Sequence, residues 1–160
     1  MADEEQQSKK YIKNKKIDYV VATGKRKSAV ARVRLYEKVK GDLAWGSQPI
    51  KKGEILVNEK PIAKYFPSET ERNLYTEPLR ITNAHQQKYA FTIKVSGGGH
   101  SGQLQAVVAG IANALNKLDS EQYRPALKKK GLLTRDSRIR QRRNVGMGGK
   151  SRRKRQSPKR

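Results

Sequence analysis

The sequence predicts an α+β fold in which one globular domain carries a long basic C-terminal tail. Residues 89–95 (YAFTIKV) alternate between apolar and polar positions, as a half-buried β-strand does. Apolar side chains between Leu104 and Leu118 recur at the spacing of an amphipathic helix. The last residues, 137–160, contain many Lys and Arg side chains and no acid, so they cannot form a core of their own. A total of 160 residues suits one domain with a hydrophobic core.

Composition divides the chain into three segments. Residues 1–17 are polar and charged, and we expect a flexible extension that is either a solvated terminus or a supplementary RNA contact. Residues 18–131 contain the periodic apolar patterns and are predicted to form the globular domain. Residues 132–160 are predicted to form the extended tail, because their few apolar side chains cannot offset the entropy of ordering the chain.

Four strands are predicted in chain order. Residues 19–23 and 29–36 are rich in Val and Ala, and Gly24 with the basic turn Lys25–Ser28 is expected to join them. Residues 54–57 form the third predicted strand and residues 89–95 the fourth.

The segment between the second and third strands, residues 37–53, is rich in Gly and is predicted to be a loop. Trp45 lies within it. This side chain is either a buried anchor for the loop or a platform on which a base stacks.

Two short helices are predicted between the third and fourth strands. Pro61 suits the first turn of a helix that ends near Tyr65. Ser68 and Glu71 have the spacing of a capping box for the next helix, which Pro78 is expected to end.

Two longer helices are predicted after the fourth strand. The first is expected to be capped by Ser101 or Gly102 and to run to about Lys117. The second is expected to run from Ser120, as N-cap, to Lys130, with Gly131 as the left-handed stop. Pro125 falls late for a helix start, so either its first turn is distorted or the helix begins near this residue.

Charge indicates a polyanionic partner. The net charge is +23, and residues 124–160 hold sixteen Lys or Arg residues against the single acid Asp136. Such an imbalance favours nucleic acid first and an anionic membrane surface second. No apolar run approaches the ~18 residues that membrane insertion needs, and residues 1–16 lack the apolar stretch of a secretory signal. The absence of cysteine excludes disulfides and thiol catalysis and fits a cytosolic compartment.

A glycine-rich loop, residues 96–102 (SGGGHSG), joins the fourth strand to the following helix. Three successive glycines allow close approach of a ligand, and a helix start presents free amides to an anion. The loop lacks the Gly-Lys-Ser/Thr of a Walker motif and the spacing of a dinucleotide fingerprint. Two interpretations remain open: contact with RNA phosphates, or a tight turn that needs positive φ.

The sequence contains no convincing catalytic or metal-binding constellation. His85 and His100 are the only histidines, and no carboxylates lie at ligand spacing from them. We expect His85 in a surface loop, and His100 either hydrogen-bonded locally or touching phosphate. The chain is therefore predicted not to be an enzyme, with no cofactor and no small-molecule substrate.

Three basic clusters, together with the glycine loop, make up the predicted RNA-binding surface. A solvated charged face is the usual explanation for any one cluster, but three with so few balancing acids favour a polyanion. Arginine forks also suit bidentate phosphate contacts. The candidate residues are Lys25, Arg26, Lys27, Arg32, Arg34, Gly97, Gly98, Gly99, His100, Ser101, Lys128, Lys129, Lys130, Arg135, Arg138, Arg140, Arg142, Arg143, Lys150, Arg152, Arg153, Lys154 and Arg155.

Four stretches together resemble the universal small-subunit ribosomal protein nine family in its bacterial form. They are ATGKRKSAVARV at 22–33, SGGGHSGQ at 96–103, GLLTRDSR at 131–138 and the closing pair Lys159-Arg160. The stretches occur in the order of that family, and the resemblance covers roughly residues 19–160.

The resemblance implies a four-stranded sheet with two packed helices, similar to the second domain of ribosomal protein S5, with an unusual left-handed βαβ crossover. It implies binding to 16S-type ribosomal RNA beside other proteins of the small-subunit head, in the cytoplasm. It also implies that Lys159 and Arg160 lie near the anticodon stem-loop of the peptidyl-site tRNA.

The sequence departs from that family's pattern in several places. Ser157-Pro158 stands where Phe-Ser is usual, and Gly148-Gly149 lies where the family is commonly basic. The loop at 37–53 is longer than usual, and residues 1–16 are an added extension.

Two alternative functions remain. One is a generic polyanion-binding or DNA-binding protein. The other is a small-molecule kinase of the same fold superfamily, although the glycine loop lacks supporting catalytic acids.

Overall fold

The computed structural model describes residues 19–37, 44–46, 48–84 and 89–149. The predicted N-terminal extension, His85, parts of the 37–53 loop and residues 150–160 lie outside these ranges. In chain order, the elements are β1 (Val20–Arg26), β2 (Ala29–Tyr36), β3 (Ala44–Trp45), β4 (Gln48–Pro49), β5 (Ile55–Val57), β6 (Lys60–Pro61), α1 (Ile62–Tyr65), α2 (Glu69–Ile81), β7 (Ala90–Ser96), α3 (His100–Leu118) and α4 (Ser120–Lys129).

The main sheet is mixed, with strand order β1-β2-β7-β5-β6. Strand β2 pairs antiparallel with β1 and β7, whereas β5 pairs parallel with β7. The α+β class is therefore confirmed. The sheet has one strand more than expected, because a tight turn at Asn58 and Glu59, both with positive φ, returns β6 against β5.

The inner face of the sheet holds the main core, which α3 covers by packing across β1 and β2. Alternate residues of β2, from Ala29 to Leu35, are buried there. The predicted turn at Gly24 is wrong, because β1 continues to Arg26 and the turn contains only Lys27 and Ser28.

Gly24 serves close packing instead. A Cβ atom there would lie 2.0 Å from the carbonyl oxygen of Ala106 and 2.4 Å from the amide nitrogen of Gly110. The lack of a side chain therefore allows α3 to lie directly on β1.

The outer face is only partly covered. A small second cluster contains the buried residues Tyr36, Ile50, Leu56 and Ala90, and Trp45 packs against it. The predicted 37–53 loop therefore includes the short β3–β4 pair, and Trp45 acts as an anchor for it. The remainder of this face exposes Arg32 and Arg34 to solvent.

Helix boundaries correct three predictions made from caps and prolines. Helix α2 does not end at Pro78 but runs on to Ile81, since the proline ring is buried and Thr82 donates from its amide and its hydroxyl to the Pro78 carbonyl. Gly99, rather than Ser101 or Gly102, precedes the first turn of α3. Asp119, rather than Ser120, caps α4, because its carboxylate accepts from the Gln122 amide at 3.0 Å.

Two other helix signals are confirmed. The Glu71 carboxylate accepts from the Ser68 amide at 3.3 Å, as the capping box predicts. Gly131, with φ of +73°, follows α4, and the Leu132 amide donates back to the Leu127 carbonyl in a Schellman arrangement. None of the helices in the described ranges is long and apolar enough to cross a membrane.

Candidate nucleic-acid interface

The β1–β2 turn and the glycine loop lie side by side. A Cβ atom on Gly97 would sit 2.5 Å from the Ser28 carbonyl oxygen, and one on Gly98 would sit 2.8 Å from the Ala29 Cβ. Both glycines have positive φ, +72° and +65°. The tight-turn interpretation therefore accounts for these two residues, whereas Gly99 has φ of −110° and open space around it.

Local hydrogen bonds hold the start of α3 in place. The His100 Nε2 lies 2.6 Å from a Glu71 carboxylate oxygen, which corresponds to the local hydrogen bond foreseen for this histidine. The Gln103 side chain donates to the Gly97 carbonyl and accepts from the Tyr65 hydroxyl. The loop is thus fixed from both sides, while Gly99 and Ser101 remain exposed beside the free amides of the helix start.

Arg26 links the sheet to the beginning of the tail. Its Nε donates to the Gln105 side chain at 2.8 Å and its Nη1 to the Arg138 carbonyl at 2.7 Å. Its Nη2 lies 3.0 Å from the Asp136 carboxylate, and the side chain is only 15% exposed. Sequence analysis placed Arg26 among the RNA contacts, but its guanidinium is used for contacts within the protein.

Asp136 is the electrostatic centre of this tail root, which we define as residues 134–138. Hydrogen bonds from the Arg138 side chain and amide, with a further contribution from the Arg26 charge, hold the pKa of the Asp136 carboxyl well below its usual range. In return, Asp136 raises the pKa of the Arg138 guanidinium. The only acid of the basic C-terminal region therefore stays ionised and fixes the course of the chain.

Most of the predicted basic clusters on the side of the sheet that α3 covers, which we call the helical side, lie next to the tail root. A hollow of about 330 Å³ is lined by residues that include Lys25, Arg26, Gly131 and Asp136. A neighbouring hollow shares Leu74 and Glu77 with it and includes Lys130. The turn, the end of α4 and the tail root therefore lie next to one another on one side of the molecule. The exposed candidates in these three segments are Lys25, Lys27, Lys128, Lys129, Lys130, Arg135 and Arg138.

The start of the tail contains further exposed arginines. Residues 135–144 have neither helix nor strand, and Arg140, Arg142 and Arg143 are all exposed. The other tail candidates, Lys150, Arg152, Arg153, Lys154, Arg155, Lys159 and Arg160, lie outside the described residues.

Arg32 and Arg34 do not join the other candidates. They point from β2 to the outer face, where the register sets Arg32 opposite Lys94 and Arg34 opposite Thr92. The Arg34 guanidinium carbon lies 5.2 Å from the centroid of the Tyr19 ring. Sequence analysis did not include Lys94, although the alternation of β7 predicts that its side chain points away from the core. The pairing of β2 with β7, which places Lys94 opposite Arg32, cannot be read from the residues around either position.

Comparisons with a family profile and with individual proteins point to the same family. The profile of the family described as ribosomal protein S9/S16 matches residues 24–160. A small ribosomal subunit protein uS9 from Maridesulfovibrio salexigens is 42% identical over 132 residues, which cover 82% of this chain and 90% of that protein. The protein of the same description from Rickettsia rickettsii (strain Sheila Smith) is 44% identical over 139 residues, which cover 87% of this chain and 77% of the relative.

Proposed function

The chain belongs to the ribosomal protein S9/S16 family, and from this premise we propose that it is a structural constituent of the small ribosomal subunit in the cytoplasm. There it acts in translation by binding 16S-type ribosomal RNA in the subunit head, beside neighbouring head proteins. Membership of a ribosomal-protein family also confirms the prediction that the chain is not an enzyme. The kinase alternative is therefore dropped.

The observation that supports the RNA proposal most strongly is the side of the molecule formed by the turn, the end of α4 and the tail root. It exposes Lys25, Lys27 and Lys128–Lys130. Of the two acids that line its hollows, Asp136 is paired with Arg26 and Arg138, and Glu77 is half-buried. Exposed lysines and arginines on such a surface release counterions from RNA when they bind its phosphates, which gives affinity that falls with salt.

The tail extends this binding surface. Arg26 and Asp136 fix its first residues on the domain, so the following arginines start from a defined point. From Arg143 to Arg160, a fully extended chain reaches roughly 60 Å. We propose that the tail follows ribosomal RNA and that Lys159 and Arg160 support the anticodon stem-loop of the peptidyl-site tRNA electrostatically.

The family resemblance also underlies a finer proposal about the fold. The crossover from β5 through β6, α1 and α2 to the parallel strand β7 is expected to be left-handed, as in the second domain of ribosomal protein S5. A crystal structure with a right-handed crossover would contradict it.

Co-sedimentation tests the main proposal. We expect the tagged full-length chain, expressed in a bacterial host, to travel with small subunits through a high-salt gradient. Recovery in the subunit-free fractions would contradict the proposal. Enrichment of DNA over ribosomal RNA in the material bound to the tagged chain would favour the generic polyanion-binding alternative.

Deletion of Pro158–Arg160 tests the role of the tail tip. We expect subunits that contain the truncated chain to assemble normally and to bind peptidyl-site tRNA more weakly, because two charges are lost near the anticodon stem. Substitution Ser157→Ala, which keeps both charges, is the matched control. Equal tRNA affinity of truncated and complete subunits would refute the role proposed for Lys159 and Arg160.

A further inference from the structure

The outer face of the sheet carries a hollow that the tail-root surface does not include. We call it the outer-face hollow; its volume is about 360 Å³, and it is lined by Tyr19, Val21, Arg32, Arg34, Trp45 and Lys94, with Thr92 also contributing. Such a volume lies at the lower end of the range for small-ligand sites. The β1–β2–β7 layer separates this hollow from α3 and from the start of the tail.

The charge of the hollow is positive among the lining residues that the structure describes. Of these described residues, three are basic and none is acidic. Arg32 and Lys94 are cross-strand partners, so two like charges stand directly opposite each other on exposed positions. Such a pair destabilises a sheet unless an anion lies between the two side chains.

Flat side chains accompany these charges. Tyr19 is 43% exposed and stacks with the Arg34 guanidinium on one side of the hollow. The centroid of the Tyr19 ring also lies 5.7 Å from the centroid of the Tyr36 ring. Tyr36 is buried and holds the Tyr19 ring in position. Trp45, half-buried against the second apolar cluster, borders the same hollow. Basic groups placed next to aromatic and guanidinium planes are the usual means of binding unpaired bases and their phosphates.

We infer that the outer-face hollow binds an unpaired stretch of RNA. A base packs against the planes of Tyr19, Arg34 and Trp45, while Arg32 and Lys94 receive the flanking phosphates. The domain thereby holds two RNA segments, one on the helical side and one on the sheet. This inference rests on the proposed function in that RNA is the polyanion. A duplex fits less well, because its bases are already stacked on each other.

Trp45 allows a direct test, since it is the only tryptophan in the chain and borders the hollow. A 12-nucleotide oligouridylate is titrated into the full-length protein at physiological salt, and Trp45 fluorescence is recorded. Anisotropy of the labelled oligonucleotide measures total binding, to which the tail contributes, in the same samples. We expect saturable quenching of Trp45 by the single strand and none by a 12-base-pair RNA duplex.

The test variant combines Arg32→Gln, Arg34→Gln and Lys94→Gln, three exposed positions. We expect the oligouridylate concentration at half-quenching to rise about tenfold, because charge-assisted phosphate contacts are lost. The slope of log affinity against log salt should fall by about 1.4, as expected for the loss of the two phosphate contacts of Arg32 and Lys94 to a single strand. The matched control removes three exposed charges elsewhere, with Lys52→Gln, Lys64→Gln and Arg72→Gln, and should leave the quenching curve unchanged.

Several results would overturn the inference. The first is an anisotropy change of the oligonucleotide without quenching of Trp45 fluorescence, and the second is an equal half-quenching concentration in the test and control variants. Quenching by the RNA duplex would also contradict the inference. Quenching by polyglutamate at equal charge would indicate an acidic protein partner instead of RNA. Urea unfolding of both variants verifies that they fold. A chain that enters small subunits but shows no Trp45 response contradicts only this inference. Conversely, a Trp45 response in a chain that never enters subunits contradicts only the proposed function.

Discussion

Arg26 joins three parts of the chain through one guanidinium group. It reaches α3 through Gln105, and it reaches the tail root through the Arg138 carbonyl and the Asp136 carboxylate. A lysine could not replace these contacts, because an ammonium group is a single point charge whereas the guanidinium offers donors in several fixed directions. Within one basic turn, the charges therefore differ in surroundings: Lys25 and Lys27 are exposed, whereas the partly buried Arg26 fixes the start of the tail.

The ion pairs of Asp136 predict a pH dependence. In the unfolded chain its pKa is close to 3.9, whereas Arg138 and Arg26 hold the pKa of the folded carboxyl below that. The stabilisation is therefore complete above about pH 4 and is lost as pH falls toward the folded pKa. We expect Asp136→Asn to lower the free energy of unfolding at pH 7, and the deficit to shrink below pH 4.

Urea unfolding of both proteins at pH 7, 5 and 3 measures this difference. Glu121→Gln, which removes an exposed acid on α4, serves as the control for the loss of one negative charge. A deficit of the same size at pH 3 as at pH 7 would show that the ionised carboxylate is not its cause.

Gly24 predicts a large packing penalty. In Gly24→Ala the new methyl group would meet backbone atoms of Ala106 and Gly110, which cannot move without shifting α3. We expect the free energy of unfolding to fall by about 1–3 kcal/mol, measured by urea denaturation. Gly102→Ala is the matched control, since its methyl group would have ordinary contacts at 3.7 Å and the helix would gain about 0.5–1 kcal/mol. Equal stabilities of the two variants would contradict the close approach.

At the scale of elements, sequence analysis correctly predicted those boundaries that depend on the nearby residues alone. The bounds of β2 and the Gly131 stop follow from alternation and from backbone conformation, and both agree with the structure. Pro78 and Gly24 were misassigned because tertiary packing determines them: one is buried within a continuing helix, and the other lies beneath α3. Strand pairing also has no local signal, which is why the Arg32–Lys94 pair could not be predicted.

The conformation of Gly131, which ends α4 just before the tail, can be tested by substitution. Gly131 has positive φ, and a Cβ atom added there would meet no atom of the described residues within 4 Å apart from its chain neighbours. A side chain at this position is therefore opposed by backbone conformation and not by packing. We expect Gly131→Ala to cost about 1–2 kcal/mol of unfolding free energy. Gly131→Asn should cost less, because asparagine tolerates the left-handed region best among residues with a side chain. Urea denaturation compares the two, and an equal cost would mean that conformation is not the reason.

At the scale of the whole molecule, basic residues lie on both sides of a central sheet. The tail root, the β1–β2 turn and the end of α4 occupy the helical side, and the Arg32, Arg34 and Lys94 set occupies the other. Sequence analysis predicted most of these residues from charge alone, but grouped them as if they were one surface. Only the fold separates them, because Arg32 and Arg34 point to the outer face of β2 whereas α3 packs on its inner face.

The number of basic residues in the tail predicts how strongly the affinity for ribosomal RNA depends on salt concentration. Residues 150–160 contain seven basic residues, namely Lys150, Arg152, Arg153, Lys154, Arg155, Lys159 and Arg160. In a full-length variant with all seven replaced by Gln, the log–log salt slope for binding to ribosomal RNA should decrease by up to about 5, if each contacts one phosphate of single-stranded character. We expect the free energy of unfolding to change by less than about 0.5 kcal/mol, because Lys and Arg side chains are rarely part of a packed core. Filter binding between 50 and 400 mM salt, in roughly twofold steps, measures the slope. An unchanged slope would mean that the domain alone carries the electrostatic affinity and that the tail follows RNA without neutralising it.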